Sequence, residues 1–198
     1  MKRLFDIVFS SVLIVLISPV FLLVALWISV DSSGGVIYKQ KRVGLLGKEF
    51  SILKFRTMRP DDGRQLQITV GSRDARITRA GYWLRRYKMD ELPQLFNVLI
   101  GDMSVVGPRP EVPKYVAMYN ESQRVVLSVK PGITDMASLQ YFEESDLIAK
   151  SDQPEKTYIE IIMPEKLRLN MEYIKGASFV MDLKIIVKTA LRIFGMRS

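Results

Sequence analysis

Residues 7–30 read IVFSSVLIVLISPVFLLVALWISV, twenty-four consecutive positions without a charged side chain. As an α-helix the run would be about 36 Å long, against about 30 Å for the hydrocarbon core of a bilayer. A secretory leader fits less well, because its apolar region spans about 7–15 residues and ends at a small-residue cleavage site. A buried core helix is an equally poor match at this length. Ser18-Pro19 interrupts the middle of the run. Pro19 has no N–H to bond the Val15 carbonyl, so the helix is expected to break there, with the Ser18 hydroxyl near enough to serve the freed group. Lys2 and Arg3 precede the run, and Lys39, Lys41 and Arg42 follow it. Cations on both sides suit a segment whose two ends face the cytoplasm. Each arm of about 12 residues would reach about 18 Å, one leaflet. The expectation is a Pro-broken re-entrant helix over residues 1–34, with a straight spanning helix as the alternative.

Outside this segment the chain is basic. Its 198 residues carry a net charge of +8, which points to an anionic partner: nucleic acid, phospholipid headgroups or a phosphorylated substrate. There is no cysteine and no histidine. That excludes disulfides, thiolate nucleophiles, thiolate or imidazole zinc sites and every Ser-His or Cys-His machine. An enzyme of this composition works with carboxylates, Lys, Arg, Tyr, Ser and Thr, and any metal it uses is oxygen-ligated: Mg²⁺, Mn²⁺ or Ca²⁺.

From Val36 the pattern predicts two strands around a glycine-containing turn, VIYKQKRVG and EFSILKFRTM. Alternation in the second puts Phe50, Ile52, Lys54 and Arg56 on one face, so Lys54 and Arg56 would point the same way, into a site or along a solvated edge. Residues 60–76 read as a loop, and 77–89 as a helix capped by Thr78, with Arg85, Arg86 and Lys88 available to anions. RRYKMDELPQ follows, at 85–94. Asp90 fits an N-cap, with Glu91 first in a helix that ends near Gly101 and Pro93 harmless in its first turn. The same position at a helix N-terminus would stabilise an ionised carboxylate and a nearby phosphate, so the Asp90 pKa is expected to be lowered. In GDMSVVGPRPEVP two prolines stiffen the backbone around Arg109, a mount from which a guanidinium can grip phosphate, or merely a surface turn. Residues 111–129 read as a helix and 143–155 as an acidic loop. Two more helices are expected, after Pro154 and Pro164. SFVMDLKIIVKTALRIFG is a basic amphipathic helix, with Lys184, Lys188 and Arg192 on one face, fit to lie in a membrane interface or over an ordinary core.

Membrane contact, Lys and Arg around a carboxylate pair, and no glycine-rich phosphate loop suit phosphate chemistry at a membrane surface, with a carboxylate as nucleophile and a divalent cation and Arg neutralising the transferred group. The stretch from Asp90 to Pro110 (DELPQLFNVLIGDMSVVGPRP) resembles the signature of the bacterial monotopic phosphoglycosyl transferases, the initiating sugar transferases. QKRVG at 40–44, KFRTM at 54–58, TRAGYWLR at 78–85, KPGIT at 130–134, SFVMDLKI at 178–185 and the Ser18-Pro19 break extend the likeness over nearly the whole chain, in the minimal single-domain form.

The resemblance implies an α+β, mainly helical monotopic membrane protein: the re-entrant helix, a small antiparallel β-hairpin, C-terminal interfacial helices, and a cytoplasmic catalytic domain over 35–198. It implies transfer of a sugar 1-phosphate from a UDP-sugar to polyprenyl (undecaprenyl) phosphate, at the cytoplasmic face of the bacterial inner membrane, releasing UMP. Asp90 would be the nucleophile of an aspartyl phosphosugar intermediate. Glu91, with Asp90, would hold Mg²⁺ (or Mn²⁺). Arg85, Arg109, Lys54 and Arg56 would bind substrate phosphate. Asp182 matches a family position whose role is open. The implied partners are the UDP-sugar, the polyprenyl phosphate and the bilayer, with no nucleic acid and a homodimer left open. One departure concerns KPGITDMASLQYFEES, where Asp135 replaces a family Gly and no Gly-Arg element follows, which leaves the sugar and uridine contacts open. The competing readings are a basic membrane-anchored adaptor for anionic lipid or nucleic acid, and a polyprenyl-phosphate hydrolase.

Overall fold

A computed structural model describes residues 1–59, 71 and 74–195. The expected 60–76 loop therefore lies largely outside the described residues. Helix α1 runs from Lys2 to Asp31, with Pro19 inside it. The Ser18 hydroxyl donates to the Val15 carbonyl at 2.9 Å, the group that Pro19 leaves without a donor. Among the described residues this is the one helix long and apolar enough to cross a membrane.

Both ends of α1 are fastened to the same folded body. Near its start, Lys2 pairs with Asp182 at 2.5 Å, and Arg3 donates to the Val98 and Leu99 carbonyls. Buried Asp6 accepts from the Ser104 hydroxyl and the Val105 N–H, both at 3.0 Å. At the far end the Asp31 carboxylate accepts from the Ala80 N–H, while Val24 and Ile28 pack with Phe55 and Leu84. Leu4, Val8, Val12, Val15, Leu16, Leu22, Leu23, Leu26 and Val30 remain exposed.

The expected hairpin is present: β1 (Ile37–Val43) pairs antiparallel with β2 (Glu49–Phe55), Ile37 opposite Phe55 and Val43 opposite Glu49. The next helix, α2 (Arg79–Arg86), is capped by Thr78, whose hydroxyl accepts from the Gly81 N–H. A 3₁₀ turn (Met89–Glu91) leads into α3 (Gln94–Ile100), which Gly101 ends in the left-handed conformation. A small parallel pair, β3 (Ser104–Val106) with β4 (Gly132–Thr134), went unread in the sequence. Gly107 and Gly132 let these segments touch: a Cβ on Gly132 would lie 2.1 Å from the Gly107 nitrogen.

Two expectations fail locally. Residues 111–129 form one helical turn, α4 (Pro113–Val116), and a later 3₁₀ turn (Gln123–Ser128). Asn120 Oδ1 accepts from the Gln123 N–H while Gln123 Oε1 accepts from the Asn120 N–H, so side chains satisfy the backbone that a longer helix would have used. The acidic stretch 143–155 is not a loop throughout, since it holds α6 (Glu144–Ala149) after α5 (Met136–Gln140), and α7 (Pro154–Thr157) begins within it. A π-helical turn (Tyr158–Ile162) joins α7 to α8 (Met163–Gly176), and α9 (Phe179–Ile193) closes the described chain.

One core packs Val112, Tyr115 and Val116 against Tyr158, Ile162 and Leu167. A second joins Ile52 and Val98 to Val105, Tyr173 and Ile185. Helix α9 turns only Asp182 and Ile185 fully inward, leaving Phe179, Val180, Leu183 and Val187 exposed beside Lys184 and Lys188.

Candidate active site

The carboxylate pair sits where α2 is forced to stop. Lys88 adopts a left-handed backbone (φ 55°), which no helix tolerates, and the chain turns through Met89–Glu91 before α3 begins. Asp90 is thus on a 3₁₀ turn and caps nothing; the residue before α3 is Pro93, with no side-chain cap. This corrects the expected N-cap. The Asp90 side chain is 7% exposed and makes no hydrogen bond among the described residues.

Glu91 is the opposite case. Arg109 grips it with both guanidinium ends, Nη1 at 3.1 Å from Oε2 and Nη2 on Oε1, and Lys54 Nζ lies 3.0 Å from Oε1. The Arg109 backbone N–H is itself held by Asp135 Oδ2 at 2.7 Å, and Asp135 caps α5 through the Ser138 N–H. Burial works against the Glu91 charge, yet Arg109 and Lys54 hold its pKa well below the ordinary carboxylate range. Burial pushes Asp90 upward instead; Lys54 and Arg85 oppose this, while the neighbouring Glu91 charge adds to it. The expected lowering at Asp90 is therefore reversed, because burial outweighs the nearby cations and no helix terminus adds to them. Burial lowers Lys54, and the Glu91 carboxylate counters it.

These groups line one cleft of about 1280 Å³. Arg85, Lys88, Asp90 and Glu91 meet there with Lys54 from β2 and Arg109. Arg85 makes no ion pair among the described residues, and its charge reaches Asp90. Arg56 lies just past the end of β2 and lines the same cleft; its guanidinium donates to the Ser32 and Ser33 carbonyls just beyond α1, while its Nε has no hydrogen-bond partner among the described residues.

The cleft's opposite wall comes from the α5–α6 segment, with Tyr141, Phe142 and Ser145. Apolar residues also line the cleft: Phe9 and Leu13 of α1, Ile186, Ala190 and Ile193 of α9. A further polar lobe holds Arg42, Glu111 and Tyr158; Glu111 pairs with Arg42 at 3.1 Å and accepts the Tyr158 hydroxyl.

Sequence reasoning missed several residues that build this site. Asp135 carried a readable N-cap signal, an Asp directly before MASLQ. Asn97 bridges α3 to β2, its Oδ1 accepting from the Leu53 N–H and its amide donating to the Ser51 carbonyl; nothing in the local sequence signals this. Asp182, whose role was open, accepts from Lys2 and from the Tyr173 hydroxyl at 2.6 Å and so fastens α9 to α1 and α8. Among the described residues no group of three or more carboxylates could cage a metal. Mg²⁺ commonly takes one or two carboxylates and completes its shell with phosphate and water; Asp90 offers a carboxylate with no hydrogen-bond partner among the described residues, whereas Glu91 could join it only by loosening its hold on Arg109 and Lys54.

A profile of the family described as "Bacterial sugar transferase" matches residues 1–196. The chain is 38% identical over 201 residues to a UDP-glucose:undecaprenyl-phosphate glucose-1-phosphate transferase of Klebsiella pneumoniae, covering 98% of this chain and 40% of that protein. It is 37% identical to the exopolysaccharide production protein PSS of Rhizobium leguminosarum bv. phaseoli, over 96% of this chain and 94% of that one. It is 35% identical to the uncharacterized sugar transferase EpsL of Bacillus subtilis, over 98% and 87%. The chain thus spans about two fifths of the Klebsiella protein's length and most of the other two.

Proposed function

The chain belongs to the bacterial sugar transferase family, and from that membership we propose that it moves a sugar 1-phosphate from a UDP-sugar to polyprenyl phosphate at the cytoplasmic face of the inner membrane. The relatives' names make UDP-glucose the first donor to test and surface-polysaccharide initiation the process served.

The observation that carries the mechanism is the contrast within the carboxylate pair. Glu91 is locked by Arg109 and Lys54, whereas Asp90 has no hydrogen-bond partner among the described residues and faces the cleft. An Asp90 oxygen attacks the phosphorus that bears the sugar. The bond from that phosphorus to the bridging oxygen breaks, and UMP leaves with the electron pair. An oxygen of the acceptor phosphate then attacks the same phosphorus, and the Asp90 carboxylate leaves. Arg109, Lys54 and Arg85 are the cations within reach of the phosphoryl oxygens. Asp90 and Glu91 would hold a Mg²⁺ (or Mn²⁺), which supplies charge neutralisation on the diphosphate.

The acceptor phosphate lies at headgroup depth, so the site must lie there too. A straight helix of 30 residues is about 45 Å long and would place its ends on opposite sides of a bilayer. Lys2, Asp6 and Asp31 instead all contact one folded body. This supports a re-entrant α1 that dips into one leaflet and returns, with the Ser18-Pro19 position as its hinge. The exposed apolar strip of α9 would lie beside it in the interface.

The test is UMP release from UDP-sugar, Mg²⁺ and polyprenyl phosphate by purified protein. Wild type is expected to turn over and Asp90→Asn to be inactive. Full activity in Asp90→Asn removes the nucleophile; inorganic phosphate as product supports hydrolysis; no turnover with any UDP-sugar supports an adaptor.

A further inference from the structure

We infer that Lys88, Phe142 and Arg192 form a second anion site, which receives the phosphate headgroup of the lipid acceptor. The inference rests on the transferase reading above and adds the acceptor's contacts to it. In that reaction two phosphorylated substrates must reach one aspartate in turn, and the cations nearest Asp90 are unequally available. Lys54 and Arg109 are bound to Glu91. Lys88 adds its charge to the field at Asp90 and Glu91 but makes no ion pair among the described residues.

Lys88 is also set in place by its backbone. Its left-handed conformation is uncommon for a residue with a side chain, and such conformations persist where the surroundings enforce them. Its ammonium lies 4.9 Å from the centroid of the Phe142 ring. The Arg192 guanidinium, from the last turn of α9, lies 5.5 Å from the same centroid. Arg192 likewise makes no ion pair among the described residues. Two cations from opposite parts of the chain therefore converge on one neutral ring. Like charges gathered this way repel, and the ring faces compensate only in part. An anion joining them would relieve the repulsion.

The position identifies which anion. Phe142 and Lys88 line the cleft beside Asp90, and so do Thr189, Ala190 and Ile193 of α9. The same helix exposes Phe179, Val180, Leu183 and Val187 on its outer surface. A phosphate held between Lys88 and Arg192 thus sits between the reacting carboxylate and an apolar surface suited to lipid. A water-soluble nucleotide has no use for that apolar border; a phosphate on a hydrocarbon chain does.

The experiment uses the full chain in nanodiscs of neutral lipid, with polyprenyl phosphate and uncharged polyprenol as probes. Arg192→Gln is expected to raise the KM for polyprenyl phosphate about tenfold or more, the value of a charge-assisted contact. The KM for UDP-sugar should stay within about twofold, and Arg192→Lys should restore the acceptor KM. Phe142→Ala should act in the same direction as Arg192→Gln. Equal rises in both KM values, or an unchanged acceptor KM, overturn the proposal. Direct binding separates it from the transferase reading. If wild type releases no UMP from any UDP-sugar, the reaction assignment falls, and loss of the preference for polyprenyl phosphate over polyprenol in Arg192→Gln still supports the site. A preference that survives the substitution overturns it.

Discussion

Asp90 and Glu91 are adjacent, share one cleft and have opposite fates. Glu91 receives three cationic contacts and is a charged anchor; Asp90 has no hydrogen-bond partner among the described residues, as the proposed nucleophile requires. Removing the Glu91 charge should leave Arg109 and Lys54 uncompensated. Glu91→Gln is expected to lose about 3 kcal/mol of stability, as broken buried pairs do, visible as a lower unfolding midpoint in detergent. The titrations run in opposite senses. Glu91, held below its ordinary value of 4.5, contributes stability that is full above that pH and is lost as pH falls through its depressed folded pKa. Asp90, raised above 3.8, costs stability once the pH exceeds that value, because a buried carboxylate must ionise. The rate of UMP release should therefore fall on the acid side with an apparent pKa above 3.8. Lys54→Met should move that limb to still higher pH, since Lys54 is the strongest opposing charge; a limb that stays put would contradict the assignment. The Asp90, Glu91 and Arg109 constellation was legible because a long motif carries it. Arg56 reaches the same cleft, but its hold on the Ser32 and Ser33 carbonyls, 24 and 23 positions away, had no local signal.

At the scale of elements, short polar devices decide where segments go. Asp135 satisfies two backbone donors at once, one on the Arg109 mount and one at the start of α5. Asp135→Ala loses a helix cap and orphans the Arg109 N–H, for an expected cost of about 2–3 kcal/mol. If Asp135 only capped α5, the loss would be near 1 kcal/mol and donor affinity would be unchanged; denaturation and the UDP-sugar KM of the same variant distinguish the two. The hairpin, α2 with its Thr78 cap, and α9 could be read ahead, because periodicity and capping residues are local signals. The parallel β3–β4 pair could not. Its strands are three residues each, pair residues 28 positions apart and meet through two glycines whose contact no local pattern encodes. The overlong helix expected at 111–129 failed for the same reason in reverse, since apolar content hid the Asn120–Gln123 exchange.

For the whole molecule the decisive relation is between α1 and the body to which both its ends are fastened. If both ends of α1 lie on one side of the membrane, a cysteine placed ahead of Lys2 and Ser33→Cys should be labelled by an impermeant maleimide from the same side. The chain has no cysteine of its own to interfere. Labelling from opposite sides would establish a spanning helix and leave the contacts at Lys2, Asp6 and Asp31 unable to coexist. The apolar run made a long helix legible, but the fastening of both its ends to one body depends on Asp182, Ser104 and Ala80, far away in sequence.

The Lys2–Asp182 pair closes a loop of 180 residues, and this has a consequence for biosynthesis. At about 5–20 residues per second, a ribosome needs about 10–40 s to make the second partner after the first. Throughout that interval the oily face of α1 exists without its dock. If the bilayer takes up that face, lipid insertion comes first and closure of the folded body around the stored helix last.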